Sequence, residues 1–188
     1  MKRSFLGGIM LMGILLAGCG NEGGQASVSP EPRVITAEAV GHYCSMNLFE
    51  HQGPKGQIHV NGASEPVWFS TIQQVFAYTL LPEEPKGLSA IYVNDMGAVG
   101  DWSQKGANDI WIDGYKAFYV IESRFVGGMG GEDALPFSDQ ARAQAFSEEH
   151  GGRVVTFDTM PEEYILNYGG VIPAPVIDST PSANGENR

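Results

Sequence analysis

The spacing of apolar side chains divides the chain into four stretches. Residues 1–18 hold two basic residues, Lys2 and Arg3, followed by an apolar run of about a dozen residues. That run is too short to span a bilayer and reads as a signal segment. Residues 19–32 are rich in Gly, Ser, Pro and Glu, with almost no large apolar side chain, which predicts a flexible linker. Regular periodicity appears only in residues 33–169. Residues 170–188 end in a Pro/Ser/Asn/Gly tail with the composition of a disordered segment.

Inside 33–169, β-branched and aromatic content predicts strands at RVITAEAV (33–40), GQIHV (56–60), AIYVND (90–95) and RVVTFD (153–158). DIWID (109–113) and KAFYVIES (116–123) alternate apolar and polar residues around an Asp-Gly, which predicts a hairpin. Ser70-Thr71-Ile72-Gln73 has the form of a capping box and opens a helix, STIQQVFAYTL. Ser138 opens a second, SDQARAQAFSEEH, with Ala141, Ala145 and Phe146 on one side and Gly151 as its stop. The two helical regions echo each other. Phe69-Ser70 precedes the first and Phe137-Ser138 the second, and Ala77-Tyr78 and Ala145-Phe146 follow at equal offsets. The expected fold is therefore α+β, two related ββαβ-type lobes packed together as one domain.

Charge narrows the class of partner. Eleven Lys and Arg stand against 22 Asp and Glu, a formal net charge of −11. Loss of the signal segment removes two of the basic residues. So acidic a chain is a poor nucleic-acid binder, because phosphate contacts need Lys and Arg. The charge suits solubility and attraction of cations or basic partners.

Leu16-Ala17-Gly18-Cys19 completes a lipobox, so cleavage before Cys19 and acylation of its sulfur are expected. The mature protein is then anchored by lipid on the periplasmic side of a bacterial membrane. Gly20 is not an inner-membrane retention signal, which favours the outer membrane. The sequence has two cysteines, so acylation of Cys19 leaves Cys44 without an intramolecular disulfide partner. A lone thiol in an oxidising compartment is buried and inert, pairs between molecules, or serves chemistry.

Cys44 and Met46 are two residues apart, and on a strand both sulfurs would face one side. A thiolate and a thioether are soft donors suited to Cu(I), although both residues are also ordinary core formers. Met129 sits in GGMGG, where four glycines permit a loop that closes on an ion and opens again, or simply an exposed loop. Met96 is a weaker candidate of the same kind, and Met160 before Pro161 reads as packing. Among the histidines, His51 beside the turn QGPKGQ is the favoured nitrogen donor. His42 precedes the thiol, His59 reads as the exposed face of a strand, and His150 suits a helix C-terminus. The chain lacks G-x-S-x-G, H-E-x-x-H and phosphate-loop signatures. A thiol–imidazole dyad with His42 or His51 has no third group to orient it. The scattered carboxylates read as solvated surface.

The lipobox, Cys44-Ser45-Met46, GPKGQI and the block GGMGGEDALPFSDQARAQAFSEEHGGRVVTFD together resemble the NosL family of copper-binding lipoproteins accessory to nitrous oxide reductase. The likeness runs from Cys19 to about Tyr168, and Ser45 is a mild variation at a position that often holds Gly or another residue. It implies two ββαβ lobes and a Cu(I) chaperone rather than an enzyme. Cys44 and Met46 would be ligands, Met129 an additional sulfur and His51 a less certain donor. The implied partners are the nitrous oxide reductase maturation machinery, a membrane transporter complex with a periplasmic NosD-like subunit, and indirectly the reductase. Two rival readings remain at this point: a thiol-dependent enzyme of organomercurial-lyase-like fold, and a structural lipoprotein with a buried Cys44.

Overall fold

The computed structural model describes residues 29–99 and 109–166. The signal segment, Cys19 and the C-terminal tail from residue 170 lie outside the described residues. Two small antiparallel sheets carry the fold. The first has the order β2-β1-β3-β4, with β1 at Gly56–Val60, β2 at Val67–Phe69, β3 at Leu88–Asn94 and β4 at Trp111–Asp113. The second has the order β6-β5-β7, with β5 at Phe118–Ile121, β6 at Leu135–Phe137 and β7 at Arg153–Thr156. Helix α1 (Ile72–Leu80) lies between β2 and β3 in the chain, and α2 (Gln140–His150) between β6 and β7. A short α3 (Glu162–Leu166) follows.

Each lobe is thus strand, strand, helix, strand, with the first strand central. The registers correspond too. Phe69 pairs with Gly56, the first residue of β1, and Phe137 pairs with Phe118, the first residue of β5. The echo in the sequence is a structural duplication.

One core serves both lobes. Ile58, Phe69, Ile72, Val75, Phe76 and Ile91 of the first meet Tyr119, Ile121 and Val155 of the second. Helix α1 contributes Ile72, Val75, Phe76 and also Tyr78, the spacing of one helical face. Val120, Leu135 and Phe137 face the other way and pack with Ala143 of α2. The second sheet is therefore covered on both sides. This explains the unbroken apolar run of β5, where three consecutive residues, Tyr119, Val120 and Ile121, are fully buried.

Several expectations change. The expected hairpin does not form: β4 pairs with β3, and β5 joins the other sheet. After Asp113 the chain makes a helical turn, with the Lys116 and Ala117 amides on the Asp113 carbonyl, and crosses between lobes. Residues 33–40 form no strand. They lie over the outer face of the first sheet, where Ile35 and Ala39 pack with Leu48, Trp68 and Trp111. Gln57, fully buried on β1, holds this segment by giving its amide N–H to the Arg33 carbonyl and accepting the Arg33 N–H, at 2.9 and 2.7 Å. A side-chain amide thus stands in for a ladder neighbour. Tyr92, opposite Gln57 in the register, donates its hydroxyl to the Pro30 carbonyl at 2.7 Å.

His59 is buried, not exposed, and bonds Gln57 at 2.9 Å. Both helices start one residue later than expected, with Thr71 and Asp139 as caps accepting from the Gln74 and Arg142 amides. Ala143, rather than Ala141 or Ala145, is the buried alanine of α2. Met96 belongs to the core beneath α2, and Met160 packs against the shared core.

The two lobes are joined by polar contacts as well. Asp95, between β3 and β4, accepts from the amide and hydroxyl of Ser138 at 3.2 and 2.5 Å. Asp133, just before β6, reaches α1 in the other lobe and accepts the Ile72 and Gln73 amides at 3.0 and 3.2 Å. Burial pushes the Asp133 carboxyl up to about 7, despite the amides and the nearby Lys55 that favour its charge. A carboxyl raised in this way stabilises the fold most below its ordinary value of 3.8, and that contribution is lost as pH rises towards 7. Denaturation of wild type and Asp133→Asn at pH 5 and pH 7.5 isolates the effect. The stability difference, wild type minus variant, should fall by about 2 kcal/mol across that interval. A difference that stays constant contradicts the assignment.

Candidate metal centre

Cys44 lies on a turn, not a strand, so the same-face argument for Cys44 and Met46 does not apply. The Gly41 amide donates to the Met46 carbonyl at 2.9 Å and the Ser45 amide to the Gly41 carbonyl at 2.7 Å. Ser45 adopts a left-handed conformation (φ 54°), a cost for a residue with a Cβ. Glycine would adopt this conformation freely. Val40 and Asn47 pair across the base of the turn. Cys44 and Met46 are both half-buried, so neither is locked in the core.

The thiol has one polar neighbour. Cys44 Sγ lies 3.3 Å from Ser70 Oγ, and Ser70 donates to Gln74 Oε1 at 3.2 Å. With the serine proton directed at Gln74, the hydroxyl oxygen is left to accept from the thiol. Ser70 stands two residues before α1, so the sulfur sits beside the start of that helix. Gly41 makes room for it: a Cβ there would lie 2.6 Å from Cys44 Sγ.

Met129 occupies the tip of a β-turn. The Gly130 amide donates to the Gly127 carbonyl at 2.9 Å, and Val126 pairs with Glu132 below. The glycines serve geometry as much as freedom. Gly130 has φ 81°, and a Cβ on Gly128 would lie 2.3 Å from the Gln52 carbonyl oxygen. The loop is therefore seated directly on the backbone beside His51.

His51 completes this contact. Its Nδ1 lies 3.3 Å from the Gly128 carbonyl, which fixes that nitrogen as the protonated one. In the neutral imidazole Nε2 then carries the lone pair, and this nitrogen is buried with no hydrogen-bond partner. A buried orphan nitrogen of this kind is costly unless something else fills its lone pair. Metal-binding imidazoles are commonly oriented by such a second bond to a carbonyl.

The structure thus brings His51 and the Met129 loop together, and ties the Cys44 turn to the start of α1. Asp133 links that same helix start to the Met129 loop. The other histidines are engaged elsewhere: His42 bonds Glu84 at 3.1 Å, and His150 stacks on Phe146. Among the described residues no three His, Cys, Asp or Glu side chains converge on a metal-sized site. A site built on Cys44 therefore needs donors beyond these side chains, and thioethers such as Met46 and Met129 suit a soft ion better than zinc or calcium. Sequence reasoning missed Ser70, Gln74, Lys55 and Asp133. Only the position of Asp133, close behind the GGMGG loop, pointed towards it.

Comparison with known proteins follows the same line. A family profile described as NosL matches residues 32–165. The copper-binding lipoprotein NosL of Achromobacter cycloclastes is 42% identical over 153 residues, covering 81% of this chain and 77% of that protein. The protein of the same description from Stutzerimonas stutzeri is 29% identical, covering 88% of this chain and 89% of its own. The crystal structure of the copper chaperone NosL from Shewanella denitrificans superposes with a TM-score of 0.64 at 29% identity, over 70% of this chain and 96% of that one. By fold and by likeness over most of its length, the chain belongs to the NosL family.

Proposed function

We propose that this protein is a Cu(I) chaperone, lipid-anchored through Cys19 on the periplasmic side of the outer membrane. Its copper would be delivered for assembly of the copper centre of nitrous oxide reductase, through a membrane transporter complex with a NosD-like subunit. The observation that carries the reading is the half-buried free thiol of Cys44, on a turn shared with Met46, in a structure with no cluster of three His, Cys, Asp or Glu side chains among the described residues. Membership of a family whose known members are named copper-binding lipoproteins and copper chaperones supports it.

Cys44 supplies the thiolate, the strong ligand for a soft cation. Met46 and Met129 supply neutral thioethers, and His51 Nε2 is the nitrogen donor. A thiolate with Cu(I) makes a neutral pair, which costs less to desolvate than a divalent ion would. Weak neutral ligands can be exchanged one at a time, so the ion passes to a partner without a free intermediate. The acidic surface favours a basic receiving face.

Cys44→Ser should weaken Cu(I) binding by more than about a hundredfold in an anaerobic competition titration, beyond the 10–100-fold typical of outer-shell changes. Unchanged affinity in C44S ends the proposal. The folded apo-protein should also react with a thiol reagent at Cys44, and Cu(I) should block the reaction. A thiol that is inert in the folded apo-protein would instead favour the structural lipoprotein with a buried Cys44.

A further inference from the structure

Three of the proposed donors sit on segments that have little regular structure to hold them. Cys44 is on a turn, His51 on coil after a short 3-10 helix, and Met129 at a loop tip. All three nonetheless connect to one buried polar frame. Asp133, almost fully buried, gives a single oxygen to three amides: Ile72 at 3.0 Å, Gln73 at 3.2 Å and Ala134 at 2.9 Å. The first two are free donors at the start of α1, next to the Ser70 that touches Cys44. Behind the His51 segment, the fully buried Lys55 donates its ammonium to the Gln52 and Gly53 carbonyls at 3.2 and 2.7 Å. Gln52 is the backbone on which Gly128 is seated. Asp133 and Lys55 attract one another across this frame.

Helix capping alone does not account for Asp133. Helix α1 already has a local cap in Thr71, which accepts the Gln74 amide at 3.3 Å. The carboxylate comes instead from 61 residues along the chain and is buried at a desolvation cost. What it adds is a fixed separation between the start of α1, where the thiol is, and the loop that carries Met129.

We infer that Asp133 is the positioning residue of the copper site, holding the Met129 loop in register with the Cys44 turn while Lys55 does the same for the His51 segment. This rests on the ligand reading above. Asp133 touches no copper itself. It acts through the backbone, as outer-shell groups do when they orient metal ligands.

The test uses the mature protein loaded with Cu(I) and compares wild type, Asp133→Ala, Met129→Leu and Asp139→Ala. D133A removes the oxygen that accepts the three amides, whereas Asn would keep it. D139A removes the cap of α2, away from the site, and controls for general loss of stability. Affinity is read by anaerobic chelator competition, and sulfur and nitrogen neighbours by X-ray absorption. D133A should lose about tenfold or more in Cu(I) affinity and one sulfur neighbour, matching M129L, while D139A keeps wild-type values. The inference is overturned if D133A keeps wild-type affinity and ligand count, or if D139A loses as much as D133A. If M129L itself binds and coordinates like wild type, the ligand reading falls and the role of Asp133 falls with it. Should D133A not fold, Lys55→Met carries the same comparison from the other side of the frame, with loss of the nitrogen neighbour as the expected result.

Discussion

The contact between Asp133 and the first amides of α1 is the constraint around which this structure is organised. A helix start has donors that no intrahelical carbonyl can satisfy, and it carries partial positive charge. Here a carboxylate from the opposite lobe satisfies two of them inside the protein. The bond couples three things that would otherwise be independent: the packing of two duplicated lobes, the placement of the Gly-rich loop, and the surroundings of the Cys44 thiol. The shared core holds the lobes together, and this bond adds a direct tie between the Met129 loop and the helix start beside the Cys44 turn.

The candidate site is built mostly from exceptions to regular structure. Cys44 needs a turn with one left-handed serine and a glycine that leaves space for sulfur. The Met129 loop needs a glycine that can touch the Gln52 backbone. His51 offers a lone pair with no hydrogen bond to satisfy it. Each feature costs stability in isolation, and each becomes useful if a soft ion is bound and released there. Burial raises the Asp133 carboxyl and lowers the Lys55 ammonium, to about 7 and about 8, so each group gives up its charge more readily than it would in water.

The sequence disclosed the fold at the level of lobes and lost detail where tertiary contacts decide. The paired Phe-Ser steps before each helix were legible because duplicated lobes repeat both their strand ends and their helix starts. The RVITAEAV segment looked like a strand because its β-branched content is high, yet the Gln57 amide holds it across the sheet rather than beside it. The Asp-Gly hairpin failed because the second strand found its partners in the other lobe. Cys44, Met129 and His51 were visible as chemistry, and the resemblance ranked them, but the turn at Cys44 was not visible. Asp133 and Lys55 were missed because charged residues are seldom buried, and nothing local marks the ones that are.

We propose that copper is held where the two lobes meet, by the Cys44 turn and the Met129 loop together. A crystal structure of the Cu(I)-loaded protein, with anomalous diffraction at the copper edge, decides the matter. One ion should be bonded to Cys44 Sγ, with Met129 and the Nε2 nitrogen of His51 turned towards it. An ion bound away from Cys44, or one held by Cys44 and Met46 with the Met129 loop outside the site, would contradict it.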